Sequence, residues 1–347
     1  MPAAQETSPP KPLDRRGRPL RDLRLSVTDR CNLRCRYCMP AEVFGADYPF
    51  LPPSKWLDFD TIERLVRAFV ANGVDKVRLT GGEPLLRPRL PELVQCLARV
   101  PGVRDLALST NAIRLPKLAR ELREAGLRRV NISLDALNPA ALERMSGGTA
   151  RPEAVIAGLD AALEAGLPTK LNAVLQQGVN ADQIVPLARF ARERGVTLRF
   201  IEYMDVGNHN AWQRGQVVPA ETIRAALAAE FPFESQAPER VGEVARRYRY
   251  LDGAGEFGII PSISAPFCGD CNRARVSAEG QLFTCLFATS GHDLRAALAA
   301  NWEPAQLAEF IGAIWQRRED RYSELRAELE AQGSPAPPKV EMSYVGG

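Results

Sequence analysis

Six of the seven cysteines fall into two tight groups, and neither group has the look of a disulfide framework. Cys31, Cys35 and Cys38 stand as C-x3-C-x2-C in TDRCNLRCRYCMP. Cysteine is the soft, anionic donor that iron–sulfur clusters need, and three thiolates leave one iron of a 4Fe-4S cube without a protein ligand. A structural zinc ion would want four closed ligands. The loop offers no fourth, and both histidines, His209 and His292, are far away in sequence. Cys268, Cys271 and Cys285 form a second trio, C-x2-C-x13-C, again with no nearby fourth. A second open cluster and a zinc ion completed by a distant ligand both fit that spacing. Cys96 stands alone in ELVQCLARV and reads as a buried apolar helix residue.

Charges on strand-like segments are the second chemical signal. Arg273 and Arg275 are two apart and share a face, as do Lys76 and Arg78. Arg24 and Lys170 lie on two further strands. Parallel strands are normally apolar on both faces, and a buried charge is expensive unless paired. One such residue is explained by a salt bridge or a strand end. Six of them near two cysteine groups suggest an anionic substrate, and guanidinium forks suit phosphate. Gly81-Gly82-Glu83-Pro84 follows a strand. It is either a plain turn or a place where backbone passes close to a ligand.

These residues need elements to position them. Short β-branched runs at 23–28, 76–81, 105–110, 129–135, 169–175 and 197–203 alternate with amphipathic stretches such as DTIERLVRAFVANG and LPKLARELREAG. Several stretches end in Gly, as helix C-caps do. Strands alternating with helices imply right-handed βαβ units in an α/β fold. Six units make either a partial barrel or an open doubly wound sheet, with functional residues at the carboxyl ends of the strands. After about residue 205 the pattern changes to a smaller α+β region. It has a helix at VPAETIRAALAAEF, a strand pair in RRYRYLD and GEFGIIPSI, a hairpin in RARVSAEGQLFTCLF, helices near 292–300 and 304–329, and a loop-like end. The expected divisions are a mobile lead-in at 1–20, a core at 21–205 and a C-terminal region at 206–347.

Hydrophobic residues make up 45% of the 347 and charged residues 25%, enough for a packed core. The net charge of +3 gives no support to a nucleic-acid partner. No run reaches about 18 apolar residues, so a membrane span is not expected. The first residues lack the apolar core of a secretory signal, and a cytoplasmic location is expected.

The cysteine loop, with Tyr37 before its third cysteine, and the GGEP segment resemble the radical S-adenosylmethionine superfamily. RLSVTDRCNLRCRYCMP, VRLTGGEPLLR, NISLDAL, RFIEYMDVGNHNAW, FCGDCNRARVSAEGQLFTCLF and SYVGG together resemble its GTP 3′,8-cyclase family, from about residue 13 to 347. That resemblance implies a partial (βα)6 TIM-type barrel with a smaller C-terminal region, two 4Fe-4S clusters, and S-adenosylmethionine chelated by the open iron of the first. It implies cyclisation of GTP to 3′,8-cyclo-7,8-dihydro-GTP, the first step of molybdenum cofactor biosynthesis, with the second cluster binding the guanine. By position, Tyr37, Gly82, Ser133 and Met204 match the family's S-adenosylmethionine contacts. Arg24, Arg78, Ser109, Lys170, Arg273 and Arg275 match its GTP contacts, and Gly346 and Gly347 match a tail that reaches the active site and is needed for turnover. Lys76 falls in the same basic row. An electron donor, a downstream cyclic pyranopterin monophosphate synthase and a homodimer are the partners implied. Ala112 stands where the family usually has glycine, so a different loop dihedral is expected. The rival readings are another radical enzyme with an auxiliary cluster, such as a peptide maturase, and a zinc-stabilised binding protein without chemistry.

Overall fold

The computed structural model describes residues 11–240, 242–331 and 338–347. Six parallel strands come first: β1 (Asp22–Ser26), β2 (Lys76–Thr80), β3 (Asp105–Thr110), β4 (Arg129–Ser133), β5 (Thr169–Leu175) and β6 (Thr197–Glu202). They lie within two residues of the segments expected from β-branched patterning. Between them run α1 (Phe59–Ala71), α2 (Leu90–Ala98), α3 (Leu115–Glu124), α4 (Pro139–Ser146), α5 (Pro152–Glu164) and α6 (Ile184–Glu193). Caps set several boundaries. Asp58 accepts from the Thr61 amide at 2.7 Å to start α1, and Asn138 accepts from the Ala141 amide at 3.0 Å to start α4.

Alternation along the strands divides the sheet into two environments. Leu23, Leu25, Val77, Leu79, Leu108, Val130, Ile132 and Phe200 are buried against apolar helix stripes that include Leu65, Phe69, Leu97, Leu122, Leu159 and Leu187. Each such leucine contributes about 1.5–3 kcal/mol by leaving water. The alternate positions of all six strands line one cavity, so the sheet curls into a partial barrel rather than lying open.

The C-terminal region adds α7 (Ala220–Ala228), β7 (Phe233–Gln236), β8 (Arg246–Tyr250), β9 (Glu256–Ile260), β10 (Arg273–Val276), β11 (Gln281–Phe283) and β12 (His292–Asp293). It does not form a sheet of its own. β9 runs parallel to β6 and β10 runs parallel to β1, giving one sheet in the order β12-β11-β10-β1-β2-β3-β4-β5-β6-β9-β8-β7. The expected strand pair is β8–β9, and the expected hairpin is β10–β11, turned by Gly280 at φ +93°.

Three expectations need correction. The helix expected at 304–329 is two helices, α9 (Pro304–Gln316) and α10 (Tyr322–Ala331), following a short α8 (Arg295–Ala299). Residues 1–10 of the expected lead-in lie outside the described residues. Within residues 11–20, Asp14, Arg18 and Leu20 are buried while Lys11, Leu13, Arg15, Arg16 and Gly17 stay exposed, because an internal ion pair lets charged chain enter the core at those points. The loop-like end contains α11 (Met342–Val345), whose Val345 is fully buried.

Candidate active site

The first cysteine loop leaves the carboxyl end of β1. The Cys38 and Met39 amides donate to the Cys35 carbonyl at 2.9 and 2.8 Å, winding a tight turn around the three thiols. The Leu33 amide points at the Cys31 sulfur from 3.4 Å, the kind of contact that supports a cluster thiolate. Burial pushes the Cys31 thiol up to about 11 and the Cys38 thiol higher still. Thiols held this way need a cation before they ionise, and a cluster supplies one. All three line the cavity, whereas neither histidine does. The donor set therefore fits an open cube better than a closed zinc site.

The Gly81-Gly82 segment leaves β2 beside this loop. The Gly82 amide donates to Thr28 O at 2.9 Å and the Glu83 amide donates to Arg30 O at 2.8 Å. A Cβ on Gly82 would stand 2.3 Å from Arg30 O, so the two loops can approach only with glycine here. Glu83 then ties in the end of β3, accepting from Thr110 Oγ1 at 2.7 Å and from the Asn111 amide at 2.8 Å. Burial raises its carboxyl to about 7. By the family resemblance, in which Gly82 seats S-adenosylmethionine, Gly82→Ala is expected to separate the loops and lower both S-adenosylmethionine affinity and iron content. Calorimetric titration and iron assay check this, and unchanged values in both would refute it.

Three other matched residues also lie at carboxyl strand ends. Tyr37 donates through its hydroxyl to Asp135 Oδ2 at 3.0 Å, just past β4, and Asp135 Oδ1 accepts from the Val174 amide at 2.9 Å. Ser133 closes β4, and Met204 lies two residues past β6; both line the cavity. Ala112 has φ +67°, in the left-handed region that glycine favours, despite its Cβ. The Ala112 amide donates to Thr110 Oγ1 at 2.9 Å, which holds that turn.

The second cysteine group does not lie at carboxyl ends of the barrel strands, contrary to expectation. Cys268 and Cys271 precede β10, and Cys285 follows the antiparallel β11. Because β10 is parallel to β1, this trio sits at the opposite end of the barrel from the first. Both trios line the same cavity of about 860 Å³, within the range of small-ligand sites. The Phe287 amide points at the Cys285 sulfur from 3.4 Å, as Leu33 does at Cys31. The Cys271 thiol is brought down to about 6: burial opposes this, but Arg273 and Arg318 outweigh it. Arg273 Nη2 reaches the Cys271 sulfur at 3.4 Å.

Basic side chains fill the space between the trios. Parallel register makes Arg275, Arg24 and Arg78 direct neighbours on β10, β1 and β2. Arg273, Asp22 and Lys76 form the adjacent row. Lys76 is ion-paired with Asp22, whose carboxyl Lys76, Arg78 and Arg24 hold low against the effect of burial. Arg24 and Arg78 each keep a buried Nε with no partner among the described residues. Burial, then Arg275 and Arg78, push the Arg24 guanidinium well below its ordinary value. Lys170 on β5 is lowered by burial and then by Arg199. Ser109 opens into the same space from β3. Crowded buried cations with unfilled donors are costly unless an anion completes them.

Arg199 on β6 belongs to this set and was not singled out from the sequence. Its Nη2 donates to Asn131 Oδ1 at 2.5 Å, and its buried Nε has no partner among the described residues. The signal was available: an arginine between Leu198 and Phe200 in the strand TLRFIE. Cys96 needs the opposite correction. It is half-buried on the flank of α2 and its Sγ lies 2.6 Å from Glu63 Oε2, while Leu93 and Leu97 carry the core face.

The last residues enter the cavity from α11. Gly346 O accepts from Arg275 Nη1, and Gly347 O accepts from Thr80 Oγ1 at 3.4 Å. The segment is anchored at Asp205, which accepts from Lys339 Nζ at 2.6 Å, Arg326 Nε at 2.8 Å and Tyr322 OH at 2.6 Å. Asn208 reinforces it, donating through Nδ2 to Glu341 Oε1 at 2.8 Å. Asp205→Ala will strand two nearly buried cations at a cost of about 3–5 kcal/mol and release the tail. Denaturant unfolding should show the loss, and a change under about 1 kcal/mol would refute the anchor.

Comparison with known proteins gives a consistent picture. Residues 25–191 match the model of the radical SAM superfamily, and residues 196–324 match that of Molybdenum Cofactor Synthesis C. The chain is 54% identical to a GTP 3′,8-cyclase of Acidothermus cellulolyticus, over 96% of this chain and 98% of that protein. It is 52% identical to a GTP 3′,8-cyclase of Xanthomonas axonopodis pv. citri, with the same coverage. Streptococcus suis SuiB bound to S-adenosylmethionine superposes with a TM-score of 0.58 over 85% of this chain and 68% of SuiB. At 16% identity that likeness is one of fold.

Proposed function

The chain belongs to the GTP 3′,8-cyclase family of radical S-adenosylmethionine enzymes, and from that premise we propose how its barrel converts GTP to (8S)-3′,8-cyclo-7,8-dihydro-GTP. This is the first step of molybdenum cofactor biosynthesis. The observation that carries the assignment of roles is the row Arg275–Arg24–Arg78, unpaired by any carboxylate in the register and set between two cysteine trios at opposite ends of one cavity.

When bound, the cofactors supply one-electron cleavage of S-adenosylmethionine at the first trio, hydrogen removal from the ribose C3′, and an open iron at the second trio for the guanine. Cys31, Cys35 and Cys38 would hold the first cluster, and Cys268, Cys271 and Cys285 the second. Tyr37, Gly82, Ser133 and Met204 seat S-adenosylmethionine at the carboxyl end. Arg24, Arg78, Ser109, Lys170, Arg273 and Arg275, with Lys76 and Arg199 beside them, hold GTP. Charge-assisted contacts to the triphosphate fix the nucleotide so that its ribose faces the first trio. The curled sheet and the tail shut out water that would otherwise intercept a radical. Gly346 and Gly347 act at the site itself.

A one-electron donor that would reduce the first cluster, a cyclic pyranopterin monophosphate synthase that would take the cyclised nucleotide, and a homodimer are the partners that rest on the family resemblance. Grouped free thiols suit a reducing cytoplasm. No described helix is long and apolar enough to cross a membrane. Anaerobic incubation with GTP, S-adenosylmethionine and dithionite should yield the cyclised nucleotide and 5′-deoxyadenosine in step. Deoxyadenosine without cyclised nucleotide would leave a radical enzyme with a different substrate, and neither product would overturn the reading.

A further inference from the structure

Three buried side chains outside every motif lie against the second cysteine trio. Asp14 and Arg18 come from the segment before β1, and Arg318 comes from the turn between α9 and α10. Their side chains are 0%, 2% and 1% exposed. Asp14 Oδ2 accepts from Arg18 Nε at 2.6 Å and from Arg318 Nη1 at 3.0 Å. Asp14 Oδ1 accepts from the Arg16 and Arg18 amides, both at 2.9 Å. One carboxylate thus joins two cations from opposite ends of the chain.

Each cation also holds backbone of the trio. Arg18 Nη1 donates to Cys268 O at 2.6 Å. Arg318 Nη1 donates to Cys271 O at 2.7 Å, and Arg318 Nε donates to the carbonyl of Thr284, the residue before Cys285, at 3.0 Å. All three ligand segments are therefore tied to one rigid unit. Trp315 seals it, donating through Nε1 to Arg18 O at 3.0 Å while its ring lies 4.5 Å from the Arg318 guanidinium. Asp320 adds an anion only at the rim, 3.4 Å from Arg318 Nε and 31% exposed. Two buried guanidiniums facing one buried carboxylate are expensive in isolation. Beside three thiolates and their cluster, the surplus positive charge has a counter-charge.

We propose that Asp14, Arg18 and Arg318 are positioning residues of the second cluster, fixing the spacing of Cys268, Cys271 and Cys285 and setting the cluster's reduction potential through their net positive charge. The proposal rests on reading that trio as cluster ligands. Reduction adds a negative charge to the cluster, so a neighbouring cation favours the reduced form and a neighbouring anion disfavours it. Arg318→Gln should therefore lower the midpoint potential of the second cluster, and Asp14→Asn, which keeps the side-chain shape, should raise it.

The test is an EPR-monitored redox titration of the anaerobic holoenzyme with an iron assay. The first cluster's signal is assigned by its change on adding S-adenosylmethionine. Wild type should hold roughly eight irons, four per cube. Opposite shifts in the two variants support the proposal, as does a fall to about four irons in Arg318→Gln with the first signal retained. Full iron with no shift, or shifts of the same sign, would overturn it. If Arg318→Gln does not fold, Asp14→Asn carries the test by the sign of its shift alone. A wild-type chain with only about four irons would overturn the cluster reading itself, leaving a different and recognisable failure.

Discussion

Removing Gly346 and Gly347 will abolish cyclised product, by at least about 100-fold, while both clusters and the fold persist. A misplacement near 1 Å at a reacting centre already costs about that much. Gly346 has φ +80°, and a Cβ there would stand 2.3 Å from Thr80 Cγ2. Its carbonyl accepts from Arg275, and Gly347 itself lines the cavity. The segment is thus threaded between Arg275 and the end of β2, where no larger residue fits. Gly346→Val should do nearly as much damage as removing both. Removal of the two glycines should change stability by less than about 1 kcal/mol, because Val345, the last apolar anchor, stays in place at 0% exposure. Product chromatography, EPR and denaturant unfolding on the same preparation separate these effects. Full turnover in either variant would remove the tail from the chemistry.

Arg275→Ala will raise the KM for GTP roughly 10- to 100-fold, the loss of one charge-assisted contact worth about 1.5–3 kcal/mol. Arg275 stands beside Arg24 in the register and is 5% exposed. Burial lowers its guanidinium to about 10, so it stays charged near neutral pH. Its removal relieves crowding on Arg24, and the nucleotide-free protein should not lose stability even though a buried side chain is gone. Binding sites commonly carry such strain. Arg275 also holds Gly346, so two explanations compete. A double variant settles this. If Arg275 acted only through the tail, Arg275→Ala would add nothing to the loss already caused by removing Gly346 and Gly347. An additional drop in GTP affinity is expected, measured by equilibrium binding, and its absence would assign Arg275 to the tail alone. Arg273→Ala should weaken GTP binding too while sparing the tail.

Local chemistry was legible because it is local. C-x3-C-x2-C needs only one loop, and the open-iron argument follows from counting donors. The six parallel strands were legible because β-branched runs and amphipathic stretches have different periods, which survive in any tertiary setting. Arg24, Arg78, Arg273 and Arg275 were visible as charges on strands, an energetic anomaly that sequence alone exposes.

What the sequence could not carry was register and the joining of distant segments. Nothing in the spacing of residues 22–28 and 273–276 says that β10 lies beside β1, yet that pairing places Arg275 next to Arg24. The same pairing sends the second trio to the far end of the barrel, against the expectation that every motif would cluster at carboxyl strand ends. Strand pairing is set by the burial of whole faces, so it is a property of the assembled sheet. Residues 11–20 show the same limit. Proline and charge read as a loose lead-in, but Asp14 is buried by Arg318, 304 positions away. The sequence by itself therefore determined which side chains could do chemistry. Only the tertiary structure decided that two cysteine trios face each other across a row of arginines, because long-range pairing and compensated burial have no local code.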